Sequence, residues 1–210
     1  MCAGTQKKVI LYHGGDEEIK TEHIIFPGPR PDCDFGRGFY MTAVSAVAEE
    51  WVRNKSSPVI SQYELKYYEH ETTALYGLDW IKAVVGFRTS AYTVEFTRNI
   101  IIGAIANDRM NDALALFMSR GIAGISDRML FDCLSLVQLG DQYVLTKNAA
   151  GLTFLKSYVL KGKMLQDAKH RHEERRRSMT KKLGDIRRRR YDDEKFVVDY
   201  MEEFRHGVTF

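Results

Sequence analysis

Short apolar runs, each closed by glycine or proline, alternate irregularly with helix-forming stretches along this chain, and that order limits the fold more than any other feature. Val9-Ile10-Leu11-Tyr12-His13 ends at Gly14-Gly15 and reads as a buried first strand. Residues 27–38, PGPRPDCDFGRG, are a loop. Gly38-Phe39-Tyr40-Met41-Thr42 is rich in β-formers and predicts a second strand. Ser45 predicts the cap of a helix running to about Arg53, with Val47, Ala48, Trp51 and Val52 at helical spacing. Val59 to Tyr67 alternates as a strand, and Leu78 to Phe87 reads as a helix. Strands are expected at Tyr92–Phe96, Ile100–Ile105 and Gln142–Leu145. Helices are expected from Asn107 or Asp108 to Arg120, around Met129–Leu139, and briefly over Asn148–Leu155, with a last strand at Ser157–Leu160. Without regular strand–helix–strand alternation the chain reads as α+β rather than as a doubly wound sheet.

At about residue 160 the pattern changes. Lys161 to Lys195 hold 14 Lys and Arg against 7 Asp and Glu, a net of +7, whereas the whole chain carries only +3. The expected organisation is therefore a near-neutral domain over residues 1–160 and a basic helical extension over residues 161–210. From Met164 to about Arg190 the extension is strongly helix-forming and nearly all polar, which predicts a helix that projects into solvent or packs only against a partner. Phe196-Val197-Val198, Tyr200-Met201 and Phe204 form an apolar patch that needs something to bury against.

Several classes are excluded at this level. No apolar run approaches the roughly 18 residues of a membrane span, and the VILY run near the start is far too short for a secretory signal. The expected compartment is the cytoplasm. Cys2, Cys33 and Cys133 are too few and too scattered for a disulfide framework. His170 and His172 stand among arginines and read as solvated side chains, so no metal is expected. Trp51 and Trp80 read as helix-to-sheet core residues.

Taken singly, His13 reads as a strand-end histidine, Tyr40 as a core or rim aromatic and Gln142 as a surface polar residue. Their order and surroundings say more. They resemble the H–Y–[E/Q/D] pattern of diphtheria-toxin-like and poly(ADP-ribose)-polymerase-like ADP-ribosyltransferases. The chain is more closely similar to the bacterial domain-of-unknown-function family 3990. The matching segments are Leu11-Tyr12-His13-Gly14-Gly15, the stretch DFGRGFYMT from Asp34 to Thr42 with Ala48 and Trp51 behind it, IGAIAND from Ile102 to Asp108, and Asp141-Gln142 through Thr146 to Leu155. Ala104 stands where that family usually has proline, and Leu145-Thr146 where Phe-His-Thr is usual.

The resemblance implies a split antiparallel β-sheet core surrounded by helices, with NAD as a substrate. It implies that His13 contacts a ribose hydroxyl of NAD, that Gly14 bonds the nicotinamide amide through its backbone, and that Tyr40 stacks on the nicotinamide ring with Phe39 beside it. Gln142 would bind the 2′-hydroxyl of the nicotinamide ribose and support an oxocarbenium-like centre. Arg37, from the bordering loop, is a chemical candidate for the diphosphate. A carboxylate roughly 4 Å from a cation contributes about 4 kcal/mol at an effective dielectric of about 20, whereas an amide offers only a dipole. Gln142 therefore cannot deprotonate an acceptor, and Asp34, Asp108 and Asp141 are the acidic candidates near the motifs.

Two functions of different class follow. One is mono-ADP-ribosyl transfer to a protein or nucleic acid, in the manner of a toxin–antitoxin or phage-related effector, with hydrolysis of NAD as its variant. The other is an NAD- or ADP-ribose-binding module without turnover. In either, the basic stretch 161–195 suits a nucleic acid, an acidic protein or an antitoxin.

Overall fold

A computed structural model describes residues 5–90, 93–106, 127–134, 139–187 and 207–210. The helix expected over residues 107–120, residues 188–190 of the Arg187–Arg190 run and the Phe196–Phe204 patch lie outside the described residues. In chain order the elements are β1 (Lys7–Gly15), β2 (Phe39–Thr42), α1 (Ser45–Val52), β3 (Val59–Tyr67), β4 (Thr72–Leu75), α2 (Gly77–Thr89), β5 (Val94–Glu95), β6 (Ile100–Ala104), α3 (Asp127–Leu134), β7 (Asp141–Leu145), β8 (Leu152–Val159), α4 (Gly162–Arg187) and β9 (Val208–Thr209). The fold is α+β, as the irregular order of elements requires.

Seven of these strands form one sheet in the order β4-β6-β7-β2-β1-β3-β8. Every neighbouring pair is antiparallel except β4 and β6, which run parallel and are connected through α2. β1 pairs with β3 along its whole length, from Lys7↔Tyr67 to Gly15↔Val59. Against β2 it pairs only at Tyr12↔Thr42. The sheet thus consists of two well-paired halves, β8-β3-β1 and β2-β7-β6-β4, that meet at one residue pair.

The side-chain alternation of strands sorts the apolar residues onto two faces. Leu11, Phe39, Met41, Tyr63, Leu65, Ile100, Ile102 and Leu145 form one buried cluster. Tyr67 on β3 and Tyr143 on β7 bring their ring centroids within 6.5 Å although two strands separate them. The halves therefore curl over this core. The opposite face carries the helices. Trp80, Ile81, Val84 and Val85 of α2 bury against Ile101 and Val144, and the Trp80 indole donates to the Ala104 carbonyl at 2.8 Å. Ala48 and Val52 of α1 cover Ile60.

The structure corrects three local expectations. Asn148–Leu155 is not a helix. Asn148 Oδ1 accepts the Ala150 N–H at 3.0 Å, closing a turn, and Gly151 takes φ +77°, where an added Cβ would lie 2.1 Å from the Lys66 carbonyl oxygen. The chain then enters β8 directly, so the strand expected at Ser157–Leu160 starts earlier. Ser45 is the first residue of α1 rather than its cap. Val44 holds the cap position, and Thr42 Oγ1 takes the Val44 N–H at 3.2 Å. Finally, α4 neither projects into solvent nor waits for a partner. Ala168 joins Ala48, Val52, Ile60 and Leu160 in one buried cluster, with Leu165 packed on it. Met179 is buried further along, and Ile186 joins the cluster of Trp80 and Ile81. The apolar stripe 165-168-179-186 is narrow, and His172 and Arg175 fill its middle, which is why composition hid it. No helix among the described residues is long and apolar enough to cross a membrane.

Candidate functional site

His13 follows the single residue pair that joins the two halves. Its Nδ1 lies 2.7 Å from the carbonyl oxygen of Tyr40 on β2. An imidazole facing a carbonyl must donate, so the neutral ring carries its proton on Nδ1 and leaves Nε2 as an acceptor. Burial lowers the imidazole pKa; the Tyr40 carbonyl opposes this, and the charge of Lys55 adds to it. The ring also stacks on Phe39, with centroids 4.4 Å apart and planes 26° apart. Phe39 in turn meets Tyr63 edge-on at 5.6 Å and is 7% exposed. Phe39 thus holds the imidazole from within the core.

Tyr40 points the other way. Its ring packs against the helix-side cluster. Its hydroxyl donates to the Gly36 carbonyl at 2.7 Å and accepts the Phe35 N–H at 3.0 Å. Burial pushes this hydroxyl well above the usual range, so it stays a donor. What the structure brings to His13 is the Tyr40 carbonyl and not its ring. The Tyr40 side chain closes the DFGRG loop instead.

Gly14 lies under α1. A Cβ there would come within 2.6 Å of Val52 Cγ1 and 2.8 Å of the Ala48 carbonyl oxygen, so only glycine lets the helix approach the strand this closely. Past Tyr12, the edge of β1 that faces β2 has no strand paired to it among the described residues.

Gln142 occupies the row of register Tyr12↔Thr42↔Gln142↔Gly103 that crosses the junction. It is 3% exposed. Its Nε2 donates to Asp34 Oδ2 at 2.6 Å and to the Ala104 carbonyl at 3.2 Å. Asp34, 5% exposed, also accepts the Ala106 N–H at 2.9 Å on Oδ2. Its Oδ1 takes Arg88 Nε at 2.7 Å and forms an ion pair with Arg88 Nη2. Asp34 is therefore committed on both oxygens and is not free to take a proton from an acceptor. Asp108 lies outside the described residues. The Asp141 carbonyl accepts from Thr42 Oγ1 at 3.3 Å. Arg37 is exposed, and its Nη1 donates to the Pro29 carbonyl at 3.2 Å, steadying the loop.

The sequence named Asp34 and Gln142 but gave no sign that they touch. It missed Arg88 altogether, because a lone arginine 54 positions away on α2 carries no motif. A second polar cluster went equally unseen. Arg171 of α4 donates to Glu49 at 2.5 Å, and Arg175 donates to Glu50 at 2.7 Å. Glu50 is 2% exposed, and burial pushes its carboxyl above the usual range against the pull of Arg175 and Arg171.

Neither the curated proteins nor the solved structures give a match to the chain. One family does, over residues 9–156, which run from β1 into β8 and take in His13, the DFGRGFYMT loop and Gln142. The chain belongs to the family described as "Protein of unknown function (DUF3990)".

Proposed function

We propose that this protein binds NAD at the junction of its two half-sheets and transfers ADP-ribose from it, on a split sheet of the ADP-ribosyltransferase type. The observation that carries the reading is the junction itself. β1 leaves β2 after a single residue pair, and there His13 is fixed by the Tyr40 carbonyl with Nε2 left to accept. A ribose hydroxyl is a suitable donor to that nitrogen. The unpaired edge at Gly14 suits the amide of nicotinamide, and Gln142 supplies an uncharged oxygen to a ribose hydroxyl. Arg37 remains the candidate for the diphosphate, since its bond to the Pro29 carbonyl uses one of five N–H donors. Tyr40 serves this reading by shaping the DFGRG loop that leads into β2.

The acceptor would be a macromolecule or water. Neither Gln142 nor the committed Asp34 can remove its proton, so an acceptor that needs no base fits best. The lack of charge on Gln142 and the commitment of Asp34 favour a second reading, retention of NAD or ADP-ribose without turnover. Incubating the purified protein with labelled NAD and cell lysate separates them. Transfer labels a macromolecule and releases nicotinamide, hydrolysis yields free ADP-ribose, and retention yields binding with intact NAD. Loss of all three signals in wild type would sink the NAD reading. His13→Ala and Gln142→Ala are expected to abolish whichever signal appears.

A further inference from the structure

The geometry points to Asp34, clamped by Arg88, as a positioning residue that turns Gln142 into a fixed hydroxyl acceptor, and as the reason position 142 carries an amide. Both groups facing the Gln142 Nε2, Asp34 Oδ2 at 2.6 Å and the Ala104 carbonyl at 3.2 Å, can only accept. Flipping the amide would set Oε1 against a carboxylate and a carbonyl together. Only one orientation is allowed, and in it both amide hydrogens are used. Oε1 is left without a hydrogen-bond partner among the described residues, yet it is not one of the fully buried orphan atoms, which are Glu50 Oε1 and Arg171 Nε. It is the atom of the amide left to accept from a ligand.

The clamp is rigid for a physical reason. Arg88 and Asp34 are buried to 5% and 6% side-chain exposure, and Ala106 N–H fixes Oδ2 from the backbone. A carboxylate at position 142 would meet the Asp34 carboxylate at hydrogen-bond distance, and two such groups cannot both ionise. Gln142 is therefore required by Asp34, and its lack of charge is not a lesion of the site. That the hydroxyl it accepts is a ribose hydroxyl of NAD rests on the function proposed above.

Two measurements test this separately. The first uses no ligand: the Tm of wild type, Gln142→Glu, Asp34→Asn and the double variant. Gln142→Glu is expected to lower Tm by about 5 °C. The double variant is expected to be more stable than the sum of the single losses, because an amide at position 34 can donate to a carboxylate at position 142. A harmless Gln142→Glu, or strict additivity, overturns the clamp. The second compares binding of NAD with NAD lacking the 2′-hydroxyl of its nicotinamide ribose. Wild type is expected to prefer NAD by about tenfold, the usual size of one hydrogen bond. Asp34→Asn is expected to erase that preference, whereas a general folding defect would weaken both ligands alike. A preference that survives Asp34→Asn overturns the positioning role. Should Asp34→Asn fail to fold, Arg88→Lys, which keeps the charge but loses the fork, is read by the same ratio. Should wild type bind neither ligand, the NAD reading falls and the ligand-free cycle alone decides the clamp.

Discussion

His13 and Asp34 carry opposite electrostatic tasks a few residues from the junction, and each makes a separate prediction. His13 is half-buried, with its imidazole pKa lowered by desolvation. In the unfolded chain its imidazole takes a proton near the ordinary value of about 6.5, while the folded one resists. The unfolded state then binds more protons, so stability falls as pH drops below about 6.5 and is regained above it. His13→Asn is expected to flatten that part of a Tm-against-pH curve; an unchanged slope would remove His13 as its cause. Asp34 is charged and paired. Removing it takes the Asp34 carboxylate away from the buried Arg88 guanidinium, and breaking a buried pair from one side costs about 3–5 kcal/mol. Asp34→Ala is therefore expected to unfold at clearly lower urea than wild type, and a loss below about 1 kcal/mol would contradict the clamp's rigidity.

Two of the docking contacts depend on a single small residue each. α1 rests on Gly14, where any Cβ would drive into Val52 and the Ala48 carbonyl. Overpacking of that kind costs about 1–3 kcal/mol, and Gly14→Val is expected to lie at or beyond the upper end in denaturant unfolding, since the helix must lift off the strand. α4 docks through Ala168, which is fully buried between α1 and β3. Ala168→Asp places an unpaired charge there. Amide hydrogen exchange along α4 is expected to speed up strongly while β1 and β3 stay protected. Uniform acceleration of all elements would mean that α4 and the sheet unfold as one unit.

On the scale of the molecule, two half-sheets that share one residue pair need other restraints. The curled core supplies one, through contacts such as Tyr67 with Tyr143. α4 supplies another. It packs over α1 with Ala168, and Ile186 further along joins the cluster that holds Trp80 and Ile81, so it straps one half to the other across the helix face. Midway, Arg171 and Arg175 reach Glu49 and Glu50. Replacing both arginines by alanine leaves Glu50 buried without its main counter-charges. Its folded pKa, already pushed up by burial, then rises further above the unfolded one. A raised carboxyl favours the fold at low pH and loses that contribution as pH climbs through the folded pKa. The double variant is therefore expected to lose most stability near pH 8 and least near about pH 5, read from urea midpoints. A loss independent of pH would assign the effect to packing of the arginine stems.

Much of this was legible in the chain. β3 falls on the alternating run Val59–Tyr67, and β1 and β2 fall on the apolar runs that flank the DFGRG loop. Strand alternation and glycine punctuation are local, so they survive in one dimension. The same holds for the α+β class and for the family, whose segments are contiguous motifs. What the sequence could not show is every relation that needs two distant segments at once. Tyr40 turning its ring to the helices while lending its carbonyl to His13 depends on which face β2 presents. Arg88 closing on Asp34 and Asp34 on Gln142 depend on α2, the loop and β7 meeting in space. The docking of a helix that is polar by composition depends on Leu165 and Ala168 finding one core and Ile186 another. Local propensity settles the elements because its causes lie within a few residues. Burial, charge pairing and side-chain direction are set only when the sheet curls and the helices close on it.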